Sequence, residues 1–246
     1  TRRSSDLALR ELRFYFGNIS GYIILTIYLS INTLLLWFFD TPYQLLNFNF
    51  GDLSTFFLIN PFLFCFLIPA LSMRSFSQEK VYGTIEVLLT KPIKPLNIFA
   101  GKFIGICFIL LFCIAPTFYN ILAFSSLLDF QSSLDLGKLI SSYIGLLFLG
   151  ILFLSLSLCC SLIFKNQVAS FLTATLVCFA QYFLFDLVAD YFSNPYIYDM
   201  FKNLGAKTHY ENLTKGIMHL NDLIYFFGLS IVFFVFGIAL IKKEQY

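Results

Sequence analysis

The stretch MRSFSQEKVYGTIEVLLTKPIKPLNIFAGK, Met73 to Lys102, decides how the rest of the chain is read. It is a long charged interruption in the first half of an otherwise apolar sequence. Arg74, Lys80, Lys91, Lys94 and Lys102 are set in it against Glu79 and Glu86. Apolar runs of bilayer length lie on either side. Basic residues gathered in a short loop between two spans mark the cytoplasmic side of a membrane protein. Residues 74–102 therefore read as a cytoplasmic element. A simple chain reversal needs only a few residues, and 29 are present, so the loop is read as structured.

Composition fixes the solvent. Of 246 residues, 59% are hydrophobic and 12% charged, with mean hydropathy +0.81. Soluble domains average about 45–50% apolar and about 25% charged. Phe alone contributes 33 residues, more apolar surface than a soluble core of this size hides, so the partner implied is the lipid bilayer. The formal net charge of +2 is near neutrality, and no nucleic-acid partner is expected. The opening TRRSSDLALRELRFYFGNIS is too polar and too long for a cleavable signal peptide, so none is expected.

A bilayer core needs about 20 helical residues to cross. Six runs qualify: 19–39, 53–73, 103–124, 139–164, 168–189 and 223–241. The fourth and fifth are separated only by Lys165-Asn166-Gln167. Joined, they would make a helix about 75 Å long at about 1.5 Å per residue, so a tight helical hairpin is expected instead. Twelve of the sixteen Lys and Arg then fall on one side, with both termini, and four on the other. That bias puts both termini in the cytoplasm. The fold class expected is an all-α polytopic membrane protein with six transmembrane helices, forming one transmembrane domain over residues 1–246.

Two flanking segments have helical patterns of their own. In residues 4–17, Ala8, Leu9, Leu12, Tyr15 and Phe16 share one face, and Asp6, Arg10 and Arg13 the other. This spacing describes an interfacial amphipathic helix with its arginines toward lipid headgroups. In the outer loop, 190–222, Asn194 precedes Pro195 as an N-cap precedes a proline at the first helical position. Gly205 reads as a helix stop. Thr208 with Glu211 reads as a capping box opening a second short helix, and Asp222 as the cap of the last span.

The spans contain little chemistry. Asp186 is read as a solvated helix-end carboxylate at the outer interface. His209 and His219 lie in or near the outer loop without metal-like spacing and are read as surface histidines. The six cysteines sit inside spans without a Cys-x-x-Cys pair, as small hydrophobes. The Gly101-Lys102 pair fails the phosphate-loop pattern at both ends: Leu96 stands where the first glycine should be, and Phe103 follows the lysine. No catalytic, metal or cofactor residue is assigned. Packing residues are assigned instead: Gly101 and Gly105 in the third span, Ser157 and Ser161 in the fourth, spaced for close helix approach. Asn60, Gln167 and Gln181 are read as interhelical hydrogen-bonders.

The motif Pro69-Ala70-Leu71-Ser72-Met73-Arg74-Ser75-Phe76, then Glu79-Lys80, then Gly83-Thr84-Ile85-Glu86-Val87-Leu88-Leu89-Thr90-Lys91-Pro92, then Gly101-Lys102-Phe103, carries a resemblance. It closely resembles the permease subunits of type-2 ABC exporters, and within them the gliding-motility-associated permease of bacterial ABC transporters. His209-Tyr210-Glu211, Gly216 and Asp222-Leu223-Ile224-Tyr225-Phe226 fit the same family's carboxyl-terminal segment. The resemblance spans essentially the whole chain. It implies a bacterial inner-membrane location, a coupling helix in the second loop, and a separate cytosolic ABC ATPase that holds the ATP and magnesium. It also implies a second permease copy or a related auxiliary membrane subunit. Thr84 to Thr90 places Ile85, Leu88 and Leu89 on one side of a short helix and Glu86 opposite, ended by Pro92 and Pro95. The ATPase-docking set expected is Arg74, Glu79, Lys80, Gly83, Thr84, Ile85, Glu86, Leu88 and Leu89. Two other classes stay open, an intramembrane enzyme and a secondary transporter working without an ATPase. The spans lack the paired acids, the Ser–His set, the buried charges or the two related halves those would normally carry.

Overall fold

The computed structural model describes residues 2–39, 53–84, 94–125 and 135–244. Helix α1 is Arg2–Gly17; α2, Ile19–Thr33, ends in a π-helical turn at Leu34–Phe38. Helix α3 is Ser54–Val81, and α4 is Pro95–Ile114. A 3-10 turn at Ala115–Thr117, around Pro116, joins α4 to α5, Phe118–Ser125. Helix α6 is Leu136–Ile163. Helix α7, Gln167–Phe179, passes through a π turn at Ala180–Leu184 into α8, Phe185–Ala189. Two short helices follow, α9 at Pro195–Leu204 and α10 at Ala206–Thr214, then α11 at Leu220–Glu244. The described residues are all-helical, and among them six helical stretches are long and apolar enough to cross a membrane.

Local chemistry sets several of the helix starts. Asp135 accepts a hydrogen bond from Lys138 N (3.1 Å) and opens α6. Asn166 accepts from Val168 N (2.9 Å), which ends the α6–α7 hairpin turn and starts α7. Asn194 accepts from Tyr196 N (3.0 Å), with Pro195 at the first helical position of α9. Pro95 occupies the same position in α4, where its missing N–H costs nothing.

Helix α6 is the axis of the bundle. It packs against α3, α7, α11, α10 and α4. The apolar windows of α6 and α3 are 78% and 72% buried, whereas those of α2 and α11 are 17% and 22% buried. The outer helices present Ile23, Ile27, Ile231 and Val235 outward, apolar surface suited to lipid or to another membrane chain. Helix α1 does not stand apart; it lies along α4.

The structure redraws several local expectations. Helix α3 continues to Val81 and α4 begins at Pro95, so residues 74–81 and 95–102 of the expected loop continue the helices of the neighbouring spans. The expected docking positions Ile85, Glu86, Leu88 and Leu89 lie outside the described residues. The buried face of α1 is Leu7, Ala8, Glu11 and Tyr15, while Leu9 and Phe16 are exposed. Gly205 is extended (φ −79, ψ 148) and serves as the junction from which α10 starts, so Thr208 and Glu211 sit inside α10 instead of opening it. Helix α11 starts at Leu220, leaving Asp222 buried in its first turn.

Candidate functional site

One end of the bundle collects α1, the end of α3, the start of α4, the α6–α7 turn and the end of α11. Lys80 pins this arrangement: its ammonium bonds to Leu162 O and to the Glu244 carboxylate. This is called the basic end. Its centre is Lys102, completely buried two turns into α4. Lys102 Nζ lies 3.3 Å from Glu11 Oε1 of α1 and 3.0 Å from Glu79 Oε2 of α3. It also donates to Ser75 O and sits 4.5 Å from the centroid of the Phe76 ring. Arg10 of α1 pairs with the other Glu79 oxygen.

Removing an ammonium from water costs several kcal/mol unless partners replace the lost solvation. Here two carboxylates, a carbonyl and an aromatic face do so, and they come from two other helices. The charge therefore ties α1, α3 and α4 into one unit. Gly105, one turn further along α4, makes the approach possible. A Cβ there would stand 2.9 Å from Glu11 Cβ and 3.1 Å from Ala8 O. Gly101 is buried on the same helix.

The end of α3 is held from other directions too. Tyr15 OH donates to Leu71 O; burial, and then the Glu11 carboxylate, push this phenol above its ordinary range, so it acts as a neutral donor. Arg74 donates to Ser20 Oγ (3.0 Å), and its guanidinium lies 4.9 Å from the centroid of the Phe14 ring. Ser161 Oγ accepts from Phe76 N (3.1 Å) and Ser77 N (3.2 Å), joining α6 to α3. Ser157 Oγ faces Cys178 Sγ at 3.7 Å, between α6 and α7. Helix α3 then stops at Tyr82-Gly83, where Gly83 takes the left-handed conformation (φ 68) that a residue without Cβ tolerates best. Thr84 Oγ1 donates back to Glu79 O (3.3 Å). Val81 and Tyr82 are exposed beside it. Arg74, Glu79, Lys80, Gly83 and Thr84 are thus brought together at the foot of the segment that continues beyond residue 84.

Between α1 and α3 lies a cleft of about 290 Å³, lined among others by Arg10, Phe14, Arg74, Ser75, Gln78 and Tyr82. Arg74 Nε and Ser75 Oγ are buried there without a hydrogen-bond partner.

The opposite end is built differently. There α9 and α10 form a cap. Tyr210 OH donates to Phe57 O (2.8 Å) and Ser141 Oγ to Leu213 O (2.6 Å). Gly145 admits Leu213: a Cβ would stand 2.9 Å from Leu213 Cβ. His209 is not a surface histidine. It is 8% exposed, stacks on Tyr225 at 4.0 Å, and places Nδ1 2.5 Å from Asp222 Oδ1 and Nε2 2.9 Å from Asn203 O. Asp186 pairs with Lys207. Gln181 donates to Tyr225 OH (2.7 Å) and Leu204 O (3.2 Å). Mid-bundle, Tyr28 OH donates to Asn60 Oδ1 (2.6 Å), and Asn60 Nδ2 is 3.3 Å from Asn32 Oδ1.

Sequence reasoning missed Glu11. The signal was present: Glu11 is four residues from both Leu7 and Tyr15, a charge on the apolar stripe. Lys102 likewise shares a face with Ile98, Phe99, Gly105 and Ile106, all buried. Among the described residues no group of three or more His, Cys, Asp and Glu could hold a metal ion.

Residues 15–245 match the family model described as ABC-2 family transporter protein. No match was found among curated proteins.

Proposed function

Since the chain belongs to the ABC-2 transporter family, matched from residue 15 to 245, we propose that its basic end is where a separate cytosolic ATPase docks and drives it. Family membership makes the chain a multi-pass membrane permease subunit of an ABC transporter. The docking element is the segment from Thr84 to Lys94, with Ile85, Leu88 and Leu89 entering an apolar groove of the ATPase. ATP and magnesium bind in that partner. The basic end faces the cytoplasm of a bacterium, with both termini, and the opposite cap faces outward. Two copies, or one copy and a related auxiliary subunit, form the pathway. The gliding-motility-associated subtype is the branch whose motifs the chain resembles.

The observation that carries this reading is the buried Lys102 junction. Both anchors of the docking segment, α3 and α4, meet α1 at one ammonium held by Glu11 and Glu79. A push on the segment then moves three helices as a body, which is how packed elements relay motion without deforming. The test is co-purification with the ATPase encoded beside it. Leu88→Asp or Glu86→Arg is expected to leave membrane insertion intact and to abolish co-purification; retention of the ATPase by both variants overturns the reading. Orientation is tested by thiol labelling of intact cells, after the native cysteines are replaced. Tyr82→Cys is expected to be protected and Lys202→Cys labelled.

A further inference from the structure

We propose that the cleft between α1 and α3 at the basic end is a binding site for the phosphodiester headgroup of an anionic phospholipid. Four charged side chains line it: Arg10, Glu11, Arg74 and Glu79. Arg10 is spoken for by Glu79, and both carboxylates also face Lys102. Arg74 has no carboxylate partner among the described residues. Its Nη1 reaches a neutral hydroxyl, Ser20 Oγ. Its Nε is buried with no hydrogen-bond partner, and so is Ser75 Oγ on the next residue. Ser75 is 4% exposed. Two unsatisfied donors beside a cation that lacks a counter-charge, in a space of about 290 Å³, describe a site for a monoanion with several acceptor oxygens. Leaving such donors buried and unpaired is costly, so an occupant is favoured.

The surroundings select the source of that anion. Tyr15 lines the cleft and also a second, apolar groove. Phe16, Tyr22, Leu25, Ile109 and Phe112 form that groove between α1, α2 and α4. Phe16, Tyr22 and Phe112 are exposed on it. A cleft carrying charged side chains, with an apolar groove on the other side of Tyr15, on an amphipathic helix beside the spans, matches a headgroup with an acyl chain attached. A free phosphate would use only the polar half.

The experiment counts lipids retained by the intact chain when it is released from mixed phosphatidylglycerol–phosphatidylcholine micelles into the mass spectrometer. Phosphatidylglycerol is expected to be retained in preference to phosphatidylcholine. Arg74→Gln is expected to lower that retention about tenfold, the scale of one charge-assisted contact. Ser75→Ala is expected to lower it about threefold with the melting temperature unchanged, and it decides the matter if Arg74→Gln does not fold. Lys243→Gln, an exposed charge at the same end, is expected to change nothing. Inorganic phosphate at millimolar concentration is expected not to displace the lipid. Equal retention of the two lipids, or wild-type retention by Ser75→Ala, overturns the site. Displacement by inorganic phosphate overturns the assignment to lipid, because the polar half alone would then suffice.

Discussion

The two ends of the bundle solve the same problem, fastening a short amphipathic helix to a core of long ones, by opposite means. At the basic end α1 is fastened by charge: one buried ammonium faces two carboxylates from different helices. At the other end α10 is fastened chiefly by neutral hydrogen bonds from Tyr210 and Ser141 to helix carbonyls, with the partly exposed Lys207–Asp186 ion pair and the His209–Asp222 contact at its flanks. Both use a glycine to bring the short helix close, Gly105 for α1 and Gly145 for α10. Charge at long range within a dry interface resists separation of its members; neutral hydrogen bonds break one at a time. The basic end is thus expected to move as one piece and the cap to open locally.

Lys102→Met separates the two ends most sharply. It leaves the buried Glu11 carboxylate without its cation, while Glu79 keeps only Arg10, and a broken buried pair costs about 3–5 kcal/mol. Thermal unfolding in detergent should fall accordingly, with the loss of hydrogen-exchange protection concentrated in α1 and not in α10. A uniform loss along the chain would show that the junction is ordinary packing. Next in size are the two glycines. Gly105→Ala and Gly145→Ala each introduce a Cβ at 2.9 Å from its nearest neighbour, and overpacking costs about 1–3 kcal/mol. Protection should drop in α1 for the first and in α10 for the second. Tyr210→Phe should cost about 1 kcal/mol, one buried hydrogen bond to Phe57 O, and should raise protease access to α9–α10 while α1 is unchanged. The smallest effect is expected for Arg10→Gln. The Arg10 side chain is 55% exposed, and exposed ion pairs contribute about 0–1 kcal/mol. A melting shift as large as that of Lys102→Met would mean that Arg10, not Lys102, holds the junction.

Much of this architecture is legible in the sequence because lipid imposes long apolar runs, and those survive any tertiary arrangement. The six spans, the α6–α7 hairpin at Lys165-Asn166-Gln167 and the Asn194-Pro195 start of α9 are read from local pattern alone. The junction is not, for a physical reason. Lys102 looks like a loop charge because Pro95 and the basic cluster before it suggest a loop. Only the packing of Phe76, Glu79 and Glu11 around it shows that α4 has already begun. Glu11 fails in the same way. Pattern reading assigned the face of α1 by counting apolar residues, and a carboxylate on the apolar stripe makes sense only once its cation is known. His209 and Asp222 are 13 residues apart, across the junction from α10 to α11, a distance no local spacing rule covers.

The claim that α1, α3 and α4 move as one body has a direct measurement. Spin labels at Leu9 of α1 and Ile104 of α4, both exposed, report their separation by pulsed electron resonance in the complex with the ATPase. The native cysteines are replaced beforehand. The α1–α4 distance is expected to stay the same with and without ATP, while a label at Leu9 shifts relative to one at Leu172 of α7. A nucleotide-dependent change between Leu9 and Ile104 of more than about 2 Å, the scale on which helices shift against one another at moving interfaces, would contradict it.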